Sequence, residues 1–252
     1  YADHICREEG VGFMRRLLGE PEIPMPYKHP LIVSWLKVFG WKVSGTGKIF
    51  AGLGCPNGCD FCCTSHFFKR KHIKLLPDGQ DIYAVVERYH AMDPSLTFLI
   101  IDEDFLLNKK RAMAFRDCVL QGGKTLSIFV FSSVKAISQY TVEEILEMGI
   151  DGFWIGYEGT RSNYAKQQGR PIEEILTEFR EHGITILTSM IVGFDYQTPA
   201  VGAQGPEVRF PEARVDQDQP PGEDGPRGVG VPVVAHAPQL SAVFRVVGQD
   251  EP

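Results

Sequence analysis

Between about residues 48 and 195 short apolar runs alternate with amphipathic ones, and the period of the pattern switches back and forth between strand-like and helix-like. Five runs read as strands: "KIFAGLG" (48–54), "LTFLIID" (96–102), "LSIFVFSS" (126–133), "GFWIGYEG" (152–159) and "ITILTSMIVGF" (184–194). Helical patterns fill the gaps. "TVEEILEMG" (141–149) opens with Thr141 and carries Glu144 three residues on, a capping box, and Gly149 stands where a left-handed cap belongs. "RPIEEILTEFREHG" (170–183) has Pro171 in its first turn, one apolar face made by Ile172, Ile175, Leu176 and Phe179, and Gly183 as its stop. "DIYAVVERYHAM" (81–92) and "KKRAMAFRDCVL" (109–120) read as helices with less distinct ends.

Strands rich in β-branched and aromatic residues, separated by helices, indicate βα units around a parallel sheet. The expected fold is α/β: a partial (β/α) barrel of about five parallel strands. In such folds chemistry gathers at the carboxyl ends of the strands. The stretch "GCPNGCDFCC" (54–63) lies there, immediately after the first predicted strand.

Three stretches follow from this pattern. Residues 1–46 read as a lead-in segment, with a helix around 7–18 and then the proline-punctuated "GEPEIPMPYKHP" (19–30). Residues 47–196 form the core. Residues 197–252 hold nine of the 17 prolines and no lysine or isoleucine, so they read as a disordered or non-native tail. Within that tail "VGVPVVAHA" (229–237) is the sole apolar run, and a proline weakens it as the sixth strand expected around 215–235. The chain opens on Tyr1 rather than methionine, as a piece of a longer protein would.

Composition narrows the partners. The 252 residues are 43% hydrophobic and 23% charged, with a net charge of -6, which argues against a nucleic-acid partner. The one basic run, "FKRKH" (68–72), reads as a solvated loop. No leader pattern opens the chain, and the longest apolar stretches are too short and interrupted to cross a bilayer. A cytoplasmic protein in a reducing compartment is expected, where clustered thiols bind metal more often than they pair.

Four of the six cysteines crowd positions 55, 59, 62 and 63. By itself the loop admits a disulfide staple, a zinc clip or the open cradle of an iron–sulfur cluster. The disulfide is disfavoured by compartment and by strain in so tight a loop. A structural zinc site wants four ligands, usually as two separated pairs, and a second pair is absent. Three thiolates, from Cys55, Cys59 and Cys62, leave one iron of a [4Fe–4S] cluster open to an exogenous ligand. Cys63 is then expected to be a small buried residue, and His66 a loop histidine.

The segment "CPNGCDFC" resembles the CxxxCxΦC signature of the radical S-adenosylmethionine (SAM) enzymes, with Phe61 at the aromatic position. The resemblance covers roughly residues 40 to 199 and is strongest to the branch that carries an N-terminal cobalamin-binding domain, which residues 1–46 cannot house. It implies that Cys55, Cys59 and Cys62 ligate the cluster, that SAM chelates the open iron, and that reduction yields a 5′-deoxyadenosyl radical. "IIDEDF" (100–105) resembles the acidic segment after the second strand, which implies SAM amino contacts from Asp102, Glu103 or Asp104. Ser132 and Ser133 end the third strand as weaker candidates. "IGYEGTRSNYAKQQGRPIEEI" (155–175) resembles the segment after the fourth strand, with Glu158 at the ribose- or methionine-contacting position. "GITILTSMIVGFD" (183–195) implies that Ile191 and Gly193 lie near adenine.

The branch implies methyl transfer to, or rearrangement of, an unactivated carbon of an unknown substrate. Cobalamin is implied only through the missing domain, and an electron donor such as a flavodoxin or ferredoxin is the expected partner. Three rivals remain: a zinc-stabilised binding module, an electron-transfer iron–sulfur protein with Cys6 or Cys118 as fourth ligand, and an inactive fragment.

Overall fold

The computed structural model describes residues 3–6, 8–158, 163–189 and 191. The chain divides into two compact units, Tyr1–Thr188 and Ser189–Pro252, and of the second only Ser189 and Ile191 are described. The tail of 197–252, its apolar run and Gly193 lie outside the described residues.

The first unit begins with a short helix α1 (Val11–Leu17) and a hairpin of β1 (Ile32–Val38) and β2 (Trp41–Phe50). A two-residue sheet of β3 (Gly52–Leu53) and β4 (Ile73–Lys74) flanks the cysteine loop and α2 (Cys63–Phe67). Four crossover units then follow: α3 (Gly79–Met92) to β5 (Thr97–Ile101), α4 (Lys109–Gly122) to β6 (Ile128–Ser132), α5 (Val134–Ile137) and α6 (Val142–Glu147) to β7 (Ile150–Gly156), and α7 (Ile172–Glu181) to β8 (Thr185–Ser189).

The sheet runs in the order β1-β2-β5-β6-β7-β8. β2, β5, β6 and β7 pair in parallel, while β1 is antiparallel to β2. This is an α/β fold with a mostly parallel sheet, a partial βα structure rather than a closed barrel. The helices begin and end where the residues dictate. Thr141 and Glu144 form the capping box of α6, and Gly149 takes a φ of 75° behind it. Asp78 and Asp81 form a second capping box, which starts α3 two residues before the periodic pattern does.

The sheet also takes in residues 32–38, which the sequence reading leaves in the lead-in segment. Val38 pairs with Trp41 across a two-residue turn, with Phe39 and Gly40 both at positive φ (50° and 86°). Such a turn normally carries Asn-Gly or Asp-Gly, so Phe-Gly gives little warning of it. Tyr89 of α3 fastens this hairpin: its hydroxyl accepts from the Ile32 N–H at 2.8 Å and lies 2.8 Å from the Lys48 carbonyl.

One apolar cluster holds the unit together. Phe98 and Ile100 of β5, Ile128 and Val130 of β6, and Phe153 and Ile155 of β7 are buried with Ile82, Val86, Phe115, Ile175 and Phe179 of the helices. The intervening positions Leu99, Phe129, Phe131 and Trp154 are only half-buried. Among the described residues the helices therefore cover one face of the sheet, while these positions on the other face are half-buried.

Candidate functional site

The cysteine loop leaves the end of β2 through β3 and turns on two glycines at positive φ, Gly54 (79°) and Gly58 (68°). A side chain at Gly54 would also press on Phe68. Three anchors hold the loop. The Ser65 hydroxyl, fully buried, donates to the Cys55 carbonyl at 2.7 Å and accepts from the Gly58 N–H at 3.0 Å. The Cys62 N–H donates to the Cys59 carbonyl at 3.1 Å, and a His66 ring nitrogen lies 3.1 Å from the same oxygen.

All six thiols are unpaired. Cys59 is buried, and Cys55 and Cys62 are half-buried. Burial, together with the nearby charges of Asp104, Cys59 and Cys62, pushes the Cys55 thiol up to about 11 against a hydrogen bond from the Asn57 backbone N–H. Burial raises Cys59 too, and the Lys166 ammonium opposes it. Cys63 corrects an expectation: it is exposed, at the start of α2, rather than a buried filler. His66, expected in a loop, sits exposed in the last turn of α2, with its ring turned onto the backbone.

The loop thus offers three free thiols near enough to feel one another, the donor type that an iron–sulfur cluster takes. Among the described residues no three His, Cys, Asp or Glu side chains are gathered closely enough to hold a metal ion. The donors fit the group. Their convergence would have to accompany its binding.

The acids after β5 separate into different roles. Asp102 is buried, ion-paired to Arg111 of α4 and 3.1 Å from a His72 ring nitrogen. Burial raises its pKa, but the His72 hydrogen bond and the Arg111 charge outweigh that and hold the carboxyl below its usual value. His72 closes the basic run 68–72, so this run is not solvated along its whole length. Asp104 is also buried and accepts four hydrogen bonds: from the Ser132 hydroxyl (2.9 Å), the Ser133 N–H (3.2 Å) and hydroxyl (2.6 Å), and the Asn57 amide (3.1 Å). Burial nonetheless lifts its pKa above the ordinary carboxylate value. Glu103, between them, is exposed, and crowding around its carboxyl together with the Asp102 charge raises its pKa.

After β7, Glu158 is buried and ion-paired with Lys166 at 2.6 Å. The Lys166 ammonium sits 5.1 Å from the centre of the Phe61 ring, which meets Tyr164 edge-to-face at 5.1 Å. The Tyr164 hydroxyl donates to Asp60 at 2.7 Å. Residues 164–166 therefore close over the cysteine loop.

These contacts bring Cys55, Cys59, Cys62, Phe61, Asp102, Glu103, Asp104, Ser132 and Glu158 to the carboxyl ends of β2, β5, β6 and β7. Ile191 lies in the second unit. Asn57, Ser65, His72, Arg111 and Lys166 also belong to the site, although the sequence pattern does not mark them as site residues. Asn57, between two cysteines, and the lysine eight residues after Glu158 were the available signals.

A family profile described as the radical SAM superfamily matches residues 49–200. The chain belongs to the radical SAM superfamily. It is 26% identical over 187 residues to an uncharacterized methyltransferase of Pyrococcus horikoshii, covering 70% of this chain and 39% of the relative. The chain thus spans well under half the length of that relative. This radical SAM chain is also similar in fold to two structures of TsrM, a radical SAM methyltransferase from Kitasatospora setae. One holds a tryptophan substrate and a SAM analogue, with a TM-score of 0.50 at 16% identity over 63% of this chain and 33% of that one. The other holds cobalamin and a [4Fe–4S] cluster, with a TM-score of 0.50 at 17% identity over 62% of this chain and 33% of that one. Among the described residues no helix is long and apolar enough to cross a membrane.

Proposed function

We propose that the chain is the core of a methyltransferase-like radical SAM enzyme, with Cys55, Cys59 and Cys62 holding a [4Fe–4S] cluster and SAM bound beside it. The observation that carries this reading is the CxxxCxxC loop at the carboxyl end of the first parallel strand, in a chain matched by the superfamily over residues 49–200. The name of the Pyrococcus relative and the cobalamin and cluster held by TsrM favour methyl transfer over rearrangement.

When bound and reduced, such a cluster supplies the electron that cleaves SAM to a 5′-deoxyadenosyl radical. The remaining work belongs to side chains. Cys55 and Cys59 must surrender protons that burial holds on them, and Lys166 eases this at Cys59. Glu103 is the one exposed acid of its triplet, and so the one placed to meet an approaching amino group. Glu158, oriented by Lys166, presents a carboxylate at the end of β7 for hydroxyl or amino donors. The substrate, an electron donor such as a flavodoxin or ferredoxin, and cobalamin from another part of a longer protein belong to this reading, as does a cytoplasmic setting.

The test is anaerobic reconstitution with iron and sulfide, followed by dithionite and SAM. A brown protein containing about four irons per chain, with 5′-deoxyadenosine or a methylated product, is expected. A brown protein that never consumes SAM would make this an electron carrier. A colourless chain holding one zinc would make it a binding module.

A further inference from the structure

We infer that Asp104 is a positioning residue for the cysteine loop: through Asn57 its buried carboxylate fastens the stretch between Cys55 and Cys59 to the ends of β5 and β6. This rests on the reading of Cys55, Cys59 and Cys62 as cluster ligands.

A carboxylate has about four lone-pair positions, and Asp104 fills them with four donors, two on each oxygen. No acceptor position is left over for a SAM amino group, so its role differs from the one the resemblance implies. Two of the three donor residues, Ser132 and Ser133, belong to the end of β6. The third, Asn57, comes from the loop itself, 47 residues away in sequence. A buried charge is retained only where such donors replace its water. The cost of burying Asp104 therefore makes the Asn57 contact hard to release.

The location of the contact matters more than its strength. Asn57 lies between two of the thiols, in a loop that turns on Gly54 and Gly58, whose backbone freedom only such contacts restrict. Ser65 fixes the same stretch from its other side, at the Cys55 carbonyl and the Gly58 amide. Each loop residue held before iron arrives is one whose ordering cost does not weaken binding. A purely structural Asp104 would stabilise the whole unit without acting on this loop in particular.

The test uses the full chain and four variants: Asp104→Asn, Asn57→Asp, the swapped pair carrying both, and Asn57→Ala. In the metal-free protein, amide hydrogen exchange across residues 55–62 reports on the loop. Asp104→Asn turns an acceptor into a donor facing donors, and Asn57→Asp sets two carboxylates together, so each speeds exchange about ten-fold. The swapped pair restores a donor opposite an acceptor and returns within about two-fold of the parent. In iron-loaded protein, loss of iron to a chelator follows the same order. Parent-like exchange in the single variants, or a swapped pair as loose as they are, overturns the inference. Should Asp104→Asn fail to fold, Asn57→Ala leaves the serine donors in place and carries the same ten-fold expectation, and parent-like exchange in it also overturns the inference. If the parent takes up no iron, the cluster reading fails, while the metal-free measurements still decide the role of Asp104.

Discussion

Arg111 grips Asp102 in an ion pair sealed from solvent, and this one contact joins α4 to the strand end that carries the acidic triplet. The guanidinium also reaches the Ala51 carbonyl at 3.4 Å and the Leu76 carbonyl at 3.5 Å, so the segments on either side of the cysteine loop share its anchorage. Removing one partner of such a pair leaves the other charged and buried. Arg111→Met is expected to cost about 3–5 kcal/mol in urea unfolding at neutral pH. A loss under about 1 kcal/mol would mean that Asp102 finds other support.

The same pair sets an acid limit. The folded-state pKa of Asp102 is depressed below its ordinary 3.8, so its contribution is present above that value and is lost as pH falls through and below it. Urea midpoints measured from pH 6 downward should therefore fall more steeply in the parent than in Asp102→Asn. Parallel curves for the two proteins would remove Asp102 from the acid response.

Cys55 acts at the other end of the scale. Its pKa is raised from 9.0 to about 11, so the metal-free chain keeps that stabilisation below pH 9 and loses it as pH climbs toward 11. Binding as a thiolate requires the proton to leave, so loading of iron and sulfide should speed up with pH across the same interval. Cys55→Ser should lack the alkaline loss of stability. Loading that is independent of pH would exclude Cys55 as the thiol that limits assembly.

Lys166 links two parts of the site. Lys166→Met takes the ammonium away from Glu158 and from the neighbourhood of Cys59. A stability cost of about 2–3 kcal/mol is expected, below that of a fully buried pair because Lys166 is partly open to water. The Cys59 thiol should also titrate higher, seen as slower alkylation of Cys59 near pH 8.5 with Cys63 unchanged as an internal reference. Unchanged Cys59 reactivity would confine Lys166 to its ion pair.

Gly52 tests the packing between these groups. A Cβ there would stand 2.5 Å from an Asp102 carboxylate oxygen and press on His72, neither of which moves without breaking the buried pair. Gly52→Ala should cost about 1–3 kcal/mol, read as a lowered melting temperature. A parent-like melting temperature would show that Asp102 and His72 can shift aside together.

Much of the fold was legible in local chemistry. Thr141, Glu144 and Gly149 announce a helix with both ends marked, and the structure has it where they indicate. The apolar periodicity of β5 and β6 is equally plain. The β1–β2 hairpin was harder, because Phe39 adopts a conformation usually left to asparagine or glycine, and because β1 is an edge strand with little buried surface. The candidate site divides along similar lines. Cys55, Cys59 and Cys62 declare themselves by spacing. The partners of Asp102 and Asp104 do not, since Arg111, Asn57 and Ser133 meet them only through tertiary contacts, nine to 47 residues distant. Three neighbouring acids look alike in sequence, and only burial distinguishes two braces from one exposed carboxylate.

Phe131 stacks on Trp154 with ring centres 5.5 Å apart, on the face of the sheet opposite the described helices. Water still wets part of that greasy wall. Anything that comes to rest against it, whether more of a longer polypeptide or a reactant, sheds hydration worth about 25 cal/mol for each Å² of apolar surface it hides. Deeper burial of that ring pair is thus where this unit has free energy still to gain.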